Sequence, residues 1–213
     1  MIELIQAIIL SIVQGITEWL PISSSGHLAI FQIIFGFQNL AFDVFLHFAS
    51  IFAVIIVFWK DIIRLLNVKK KENLKYIGFI IIGIIPAGII GVLFKHQIEN
   101  FFSSLVYLGI FFMLSGVLVY STKFSKVRKD KPNFLDSIFI GAFQAIAILP
   151  GVSRSGATIS SGLFRGLNKE EAVKFSFFMA IPVILGAALV ELKDTALAQI
   201  SYSVMIISFI LGN

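Results

Sequence analysis

The chain has 213 residues, of which 58% are apolar and 14% charged, with a formal net charge of +5 and a mean hydropathy of +0.96. Ordinary soluble domains hold about 45–50% apolar and about 25% charged residues, which excludes a soluble enzyme, a disordered chain and a nucleic-acid module; the absence of cysteine excludes a disulfide-stapled secreted domain. The bilayer is therefore the solvent, and the surplus Lys and Arg mark cytoplasmic loops rather than an anionic partner.

Residues 2–13 are apolar, but the first charge is Glu3 and no small-residue cleavage site follows, so they do not read as a signal peptide. A spanning helix needs about 20 mostly apolar residues. Segments 42–59, 76–94, 105–121 and 173–190 meet that need, and 195–213 reads as a crossing cut off by the chain end. Segments 14–28 and 144–158 are each broken by a Pro, a Ser cluster and a Gly. Non-helical backbone at membrane depth is tolerated only where protein or a wet cavity surrounds it, so both read as re-entrant helix–loop–helix hairpins.

Charge sets the direction. Loop 60–75 carries six basic and two acidic residues, loop 121–133 five and one, each net +4, while 95–104 is neutral. Spans 76–94 and 105–121 thus make one outward excursion between two cytoplasmic loops. The N-terminus then lies outside, the first hairpin enters from outside and the second from the cytoplasm. Segment 165–174 returns inside, and 173–190 crosses outward.

The hairpins echo one another. Leu20-Pro21-Ile22-Ser23-Ser24-Ser25-Gly26 resembles Leu149-Pro150-Gly151-Val152-Ser153-Arg154-Ser155-Gly156 with one residue inserted, Gln14 and Gln144 precede them, and a Phe-rich crossing follows each. The expected fold class is all-α integral membrane: a single domain over 1–213 with an inverted-topology repeat, about 1–121 and 134–213. The broken helices of such repeats meet near the midplane and present helix N-termini to an anion. A second copy as long as the stretch from Gln14 to Tyr120 would run to about residue 250, so the second repeat reads as shortened at its C-terminal end.

Gln14 and Glu18, four apart, share a helix face. A carboxylate inside an apolar segment is by default functional, which makes Glu18 a metal ligand or an acid/base group, against the plainer reading of a helix-terminus partner. Ser23, Ser24, Ser25, Gly26 and His27 would open a short helix over 27–36, whose free N–H groups cradle phosphate oxygens. His27 suits proton transfer or attack on phosphorus. Ser153, Arg154, Ser155, Gly156 and Thr158 repeat the cradle and add a guanidinium, whose fork matches phosphate; a structural pair with Glu18 is the alternative. Asp43 reads as an interfacial or capping residue, His47 as a core histidine with its hydrogen bonds satisfied, in preference to a catalytic one, and His96 as an exterior-loop residue. Ser160 and Ser161 read as helix packing. One carboxylate beside phosphates is a typical magnesium arrangement.

Residues 14–28 and 149–159 resemble the two signature motifs of the undecaprenyl-diphosphate phosphatase family of the bacitracin-resistance type. The first, Glu or Gln, three residues, then Glu, falls on Gln14 and Glu18; the second, Pro-Gly-x-Ser-Arg-Ser-x-x-Thr, falls on Pro150 to Thr158. The resemblance implies hydrolysis of a polyprenyl diphosphate lipid to the monophosphate on the outer face of the cytoplasmic membrane. This recycles the carrier for peptidoglycan and other cell-wall polymers and gives resistance to bacitracin. It further implies a divalent cation, Mg2+ or Ca2+, and a homodimer. Catalytic roles fall on Glu18, Ser23, Ser24, His27 and Arg154, diphosphate binding on Ser25, Gly26, Ser153, Ser155, Gly156 and Thr158, and metal binding on Glu18 and Gln14. Gln at position 14 leaves one carboxylate fewer for the metal. The attacking group stays open among a first-loop Ser, a water and His27, preferred in that order. Family members run further, with a final crossing and a C-terminal Tyr-Arg near the phosphates. The competing function is a transporter or flippase of lipid phosphates or small anions, to which paired broken helices are also suited.

Overall fold

The computed structural model describes residues 3–191 and 201–212. Among them are ten α-helices: α1 (Leu4–Thr17), α2 (Ser24–Phe35), α3 (Leu40–Leu65), α4 (Lys71–Leu93), α5 (Lys95–Phe101), α6 (Leu105–Ser121), α7 (Phe134–Ile146), α8 (Arg154–Phe164), α9 (Lys169–Glu191) and α10 (Tyr202–Leu211). Four are long and apolar enough to cross a membrane: α3, α4, α9, and α6 with the short 3-10 turn that extends it. Their outward faces carry Val57, Val92, Met113 and Val117, all exposed, as expected of side chains solvated by lipid.

The helices run beyond the apolar segments that signal them. Lys71 to Lys75 begin α4, because the backbone ladder does not stop at the first charge, and Lys60 to Leu65 extend α3 beyond a kink at Phe58, whose φ of −102° and ψ of 16° leave the helical region. The helix expected over 27–36 starts three residues earlier, at Ser24. Ser23 takes a positive φ of 65° and its hydroxyl accepts from the Gly26 N–H at 3.3 Å, which caps the helix there. It ends at Gly36, whose φ of 75° is a left-handed C-cap. Of the expected crossing 195–213, residues 195–200 and 213 lie outside the described residues; the rest contains the ten-residue α10.

Two clusters form the core, one around each hairpin. Leu10, Leu28, Phe42, Leu46 and Val204 join α1, α2, α3 and α10. Ile80, Ile140, Phe175, Phe178 and Met179 join α4, α7 and α9. Ile51 of α3 with Ala180 and Ile184 of α9 links the two halves. The tightest approach is between α4 and α7, where a Cβ on Gly141 would stand 2.6 Å from the Gly83 carbonyl, the small-residue packing that lets helices in lipid touch backbone to backbone.

The three basic segments gather at one end. Lys131 Nζ lies 2.8 Å from Glu72 Oε2, Lys174 Nζ 3.2 Å from Asp61 Oδ1, and the Arg128 N–H donates to the Gly166 carbonyl at 2.8 Å. The hydrogen bond and charge of Glu72 raise the pKa of Lys131 above its ordinary value. Asp136, at the start of α7, is fully buried and takes Lys129 Nζ at 2.5 Å and Arg165 Nε at 2.7 Å, so the loop before the second hairpin is tied to the loop after it.

Gly141→Ala should destabilise the protein by about 1–3 kcal/mol, because the atom it strikes is backbone and cannot swing aside. Gly78→Ala, which meets nothing within 4 Å, should hold or raise the thermal midpoint in detergent. Equal midpoints for the two variants would remove the α4–α7 contact as a determinant.

Candidate active site

The two hairpin loops are in contact. Ser155 Oγ donates to the Leu20 carbonyl at 2.9 Å and Ser153 Oγ to the same oxygen at 3.5 Å. A Cβ on Gly26 would stand 2.8 Å from Gly151 Cα. Gly151 itself has a φ of 101°, and a Cβ there would meet the Leu108 carbonyl at 2.9 Å. Both positions need glycine for the loops to close on each other. Ser23 is the one non-glycine residue with positive φ among the described residues, a strained backbone at the turn that delivers Ser24.

Glu18 caps the C-terminal end of α1 and is 5% exposed. Its Oε1 meets Arg154 Nη2 of the other hairpin, 136 residues away. Its Oε2 accepts from Ser24 Oγ at 2.5 Å and Gln14 Nε2 at 3.0 Å, and faces His47 Nε2 at 3.2 Å. Arg154 is steadied by Trp19, whose ring centre lies 5.5 Å from the guanidinium carbon and which itself packs on Phe177. The Arg154 Nη1 is buried without a hydrogen-bond partner. One arm of the fork is thus occupied by Glu18 and the other is open to an acceptor.

A cavity of about 250 Å³ lies against this cluster. Its polar lining is Glu18, Ser23, Ser24, Ser25, Asp43, His47, Gln144, Ser153 and Arg154; Val44, Ile148, Val183 and Ile184 contribute to its apolar wall. The first N–H groups of α2 and α8 have no intrahelical partner, so Ser24, Ser25, Arg154 and Ser155 offer backbone donors where the two helix starts converge. The starts of both helices and the Arg154 guanidinium therefore border one cavity.

The expected site residues divide into two groups. Glu18, Ser23, Ser24, Ser25, Ser153 and Arg154 come together on the cavity. Gly26 and Gly156 give their N–H groups to the capping hydroxyls of Ser23 and Ser153, at 3.3 and 3.0 Å. Ser155 is held by the Leu20 carbonyl, and Thr158 Oγ1 binds the Arg154 carbonyl at 2.8 Å and Ser176 Oγ at 2.6 Å; both shape the loop without lining the pocket. Gln14 stands behind Glu18, presenting its amide nitrogen to the carboxylate. His27 is turned away. Its Nδ1 donates to the Ser23 carbonyl at 2.7 Å, its ring packs edge-on to Phe112 at 5.1 Å, and it lines a separate cavity with Pro21, Ser115 and Gly116. The expected helix start at 27 hid this, because with the helix opening at Ser24 the ring points back along its own first turn.

Three residues of the cavity were read otherwise from the sequence. His47, taken as a core histidine, reaches Glu18 and Ser24. Asp43, taken as interfacial, is 6% exposed beneath the cavity and accepts from Gln32 Nε2 at 2.5 Å, while Asn39 caps the helix. Asp43 and His47 are four apart, the same face-sharing interval as Gln14 and Glu18, which was the available signal. Gln144, noted only as an echo of Gln14, lines the cavity and donates from Nε2 to the Gly83 carbonyl at 3.3 Å, leaving a buried Oε1 without a partner.

The family model described as bacitracin resistance protein BacA matches residues 7–213. Relatives named undecaprenyl-diphosphatase include one from Methanosphaera stadtmanae, 40% identical over 99% of this chain and 84% of the relative. The relative from Halothermothrix orenii is 42% identical over 98% of this chain and 83% of its own length. That from Methanobrevibacter smithii is 45% identical over 90% and 77%.

Removing one partner of a buried ion pair leaves the other uncompensated, at a cost of about 3–5 kcal/mol. Arg154→Ala should therefore lower the thermal midpoint sharply, and Arg154→Met combined with Glu18→Gln should recover most of the loss. A single variant as stable as the parent would show that the two groups do not hold the hairpins together.

Proposed function

This chain is a member of the BacA family, and from that membership together with the paired-hairpin pocket we propose the following reading of its activity. It is an undecaprenyl-diphosphatase, an integral-membrane hydrolase that converts undecaprenyl diphosphate to the monophosphate and phosphate and confers bacitracin resistance. The observation that carries the chemistry is the 2.5 Å contact in which the Ser24 hydroxyl donates to Glu18 Oε2, beside an Arg154 nitrogen with no protein partner. Anion transport needs a cradle but no activated hydroxyl, so this contact favours hydrolysis over the transporter reading.

The terminal phosphate sits against Arg154 Nη1 and the N–H groups that open α2 and α8. Phosphoryl transfer depends chiefly on positioning and on neutralising the equatorial oxygens, which these donors do. Ser24 Oγ attacks the terminal phosphorus and passes its proton to Glu18. The bond from phosphorus to the bridging oxygen breaks, and undecaprenyl monophosphate leaves with the proton from Glu18, which returns to its carboxylate form. Water then attacks the phosphoserine, gives its proton to the Ser24 oxygen through Glu18, and releases phosphate. Glu18 is kept in place throughout by Arg154 and Gln14. His27 holds the Ser23 turn rather than the phosphate.

A hard cation would have to be carried in with the substrate, because among the described residues no three His, Asp or Glu side chains cluster as a metal site and both Glu18 oxygens already have protein partners. Glu18 is the carboxylate at the centre of the cavity, and Gln144 Oε1 is a buried acceptor on its wall with no partner. Mg2+ binds through few carboxylates and several substrate oxygens, Ca2+ through more oxygen ligands, and either would add positive charge against the diphosphate. Glu18 and Gln144 would hold it, and Gln14 would brace Glu18 from behind.

The gathering of the basic loops at one end supports a topology in which that end is cytoplasmic. The pocket-forming hairpins then belong to an inverted repeat, each re-entrant from its own side within a single membrane domain, and the pocket opens to the outer face of the cytoplasmic membrane. There the diphosphate left by polymer export is recycled. A homodimer would shield part of the exposed apolar surface of each copy.

Purified protein should release phosphate from undecaprenyl diphosphate, and EDTA should abolish release until Mg2+ or Ca2+ is restored. Ser24→Ala should lower kcat by about 10^3-fold or more while lipid diphosphate binding persists. Uptake of a lipid phosphate into proteoliposomes without turnover would overturn the hydrolase reading.

A further inference from the structure

We infer that His47 is a positioning residue for the reaction proposed above, acting through Glu18 and Ser24 from a rigid transmembrane helix. The inference rests on the hydrolase reading. A carbonyl oxygen can only accept, so the 2.7 Å contact between His47 Nδ1 and the Asp43 carbonyl fixes the proton on Nδ1 and the plane of the ring. Nε2 faces an acceptor as well, Glu18 Oε2 at 3.2 Å, so it carries a second proton and donates to it, with Ser24 Oγ 3.4 Å away.

The need for such a brace lies in where the two partners sit. Glu18 stands at the fraying end of α1 and Ser24 at the first residue of α2, across a turn that contains the strained Ser23. His47 comes instead from the interior of the 26-residue α3, next to the fully buried Leu46, with Ser50 Oγ donating to the His47 carbonyl at 2.7 Å. A site carried on loops gains precision from a support on a rigid element. Arg154 draws on Oε1 of Glu18 from the other hairpin, so the ring on the Oε2 side opposes rotation of the carboxylate away from Ser24. The groups proposed to grip the diphosphate are Arg154 and backbone N–H groups, while the polar contacts of the His47 ring are to Glu18, Ser24 Oγ and the Asp43 carbonyl, so the brace is read chiefly in turnover.

The test compares His47→Ala, His47→Gln and His47→Asn with the parent, in phosphate release from undecaprenyl diphosphate and in binding of its non-hydrolysable methylene analogue. Misplacement by about 1 Å can cost on the order of 10²-fold in rate. His47→Ala should lower kcat by about 10- to 100-fold, with KM and analogue affinity within about twofold of the parent. His47→Gln, whose amide nitrogen can reach Glu18, should recover most of kcat, and the shorter Asn should not. The inference is overturned if His47→Ala turns over at the parental rate, if it raises KM at constant kcat, or if Gln and Ala lose activity equally in step with thermal midpoint. A parent that releases no phosphate overturns the hydrolase reading and this inference with it; a parent that turns over while His47→Ala matches it overturns the inference alone.

Discussion

The contact between Glu18 and Arg154 holds together the two halves of the pocket. Each group is expensive inside an apolar fold, and neither could stay there alone. Paired, they bind the α1–α2 hairpin to the α7–α8 hairpin, and the loop contacts around Leu20 and Gly151 follow from that closure. The pairing uses only one arm of the guanidinium. What remains open is a charged donor at the point where two helix N-termini converge, which is what a diphosphate requires.

The same closure explains the division of labour among hydroxyls. Ser23 and Ser153 cap α2 and α8. Ser155 and Thr158 spend their hydrogen bonds inside the protein, stiffening the second loop. Ser24 is the hydroxyl whose acceptor is the carboxylate at the centre of the cavity. A run of three serines therefore contains three tasks: a cap that terminates strain, a hydroxyl aligned with Glu18, and a third on the cavity wall. The position in the first helical turn separates them, and a shift of one residue rotates a side chain by about 100° around the helix axis.

Membrane solvation shapes the rest. The faces of α4 and α6 that meet lipid carry large apolar side chains, while α4 and α7 bring their backbones close through Gly83 and Gly141. The basic loops gather at one end, where Asp136 ties Lys129 and Arg165 across the base of the second hairpin. The second hairpin is therefore anchored at its base by ion pairs and joined at its tip to the first by another.

Composition and hydropathy alone determine that this is a membrane protein, where its long helices lie, and which two interrupted segments carry the chemistry, because partition into lipid and helix formation are decided by local stretches of chain. The match of the two Ser-Gly loops likewise needs no coordinates. The cavity roster did need them. His27 and His47 are both plausible from residue type, and only the start of α2 at Ser24 turns the first away while the docking of α3 brings the second to Glu18. Gln14 and Gln144 look equivalent in sequence, yet one braces a carboxylate and the other lines the pocket. Whether Arg154 faces Glu18 or a ligand could not be read locally either; the fold gives one nitrogen to Glu18 and leaves another without a protein partner. Contacts between residues more than a hundred positions apart depend on how helices pack, and packing is a property of the whole molecule.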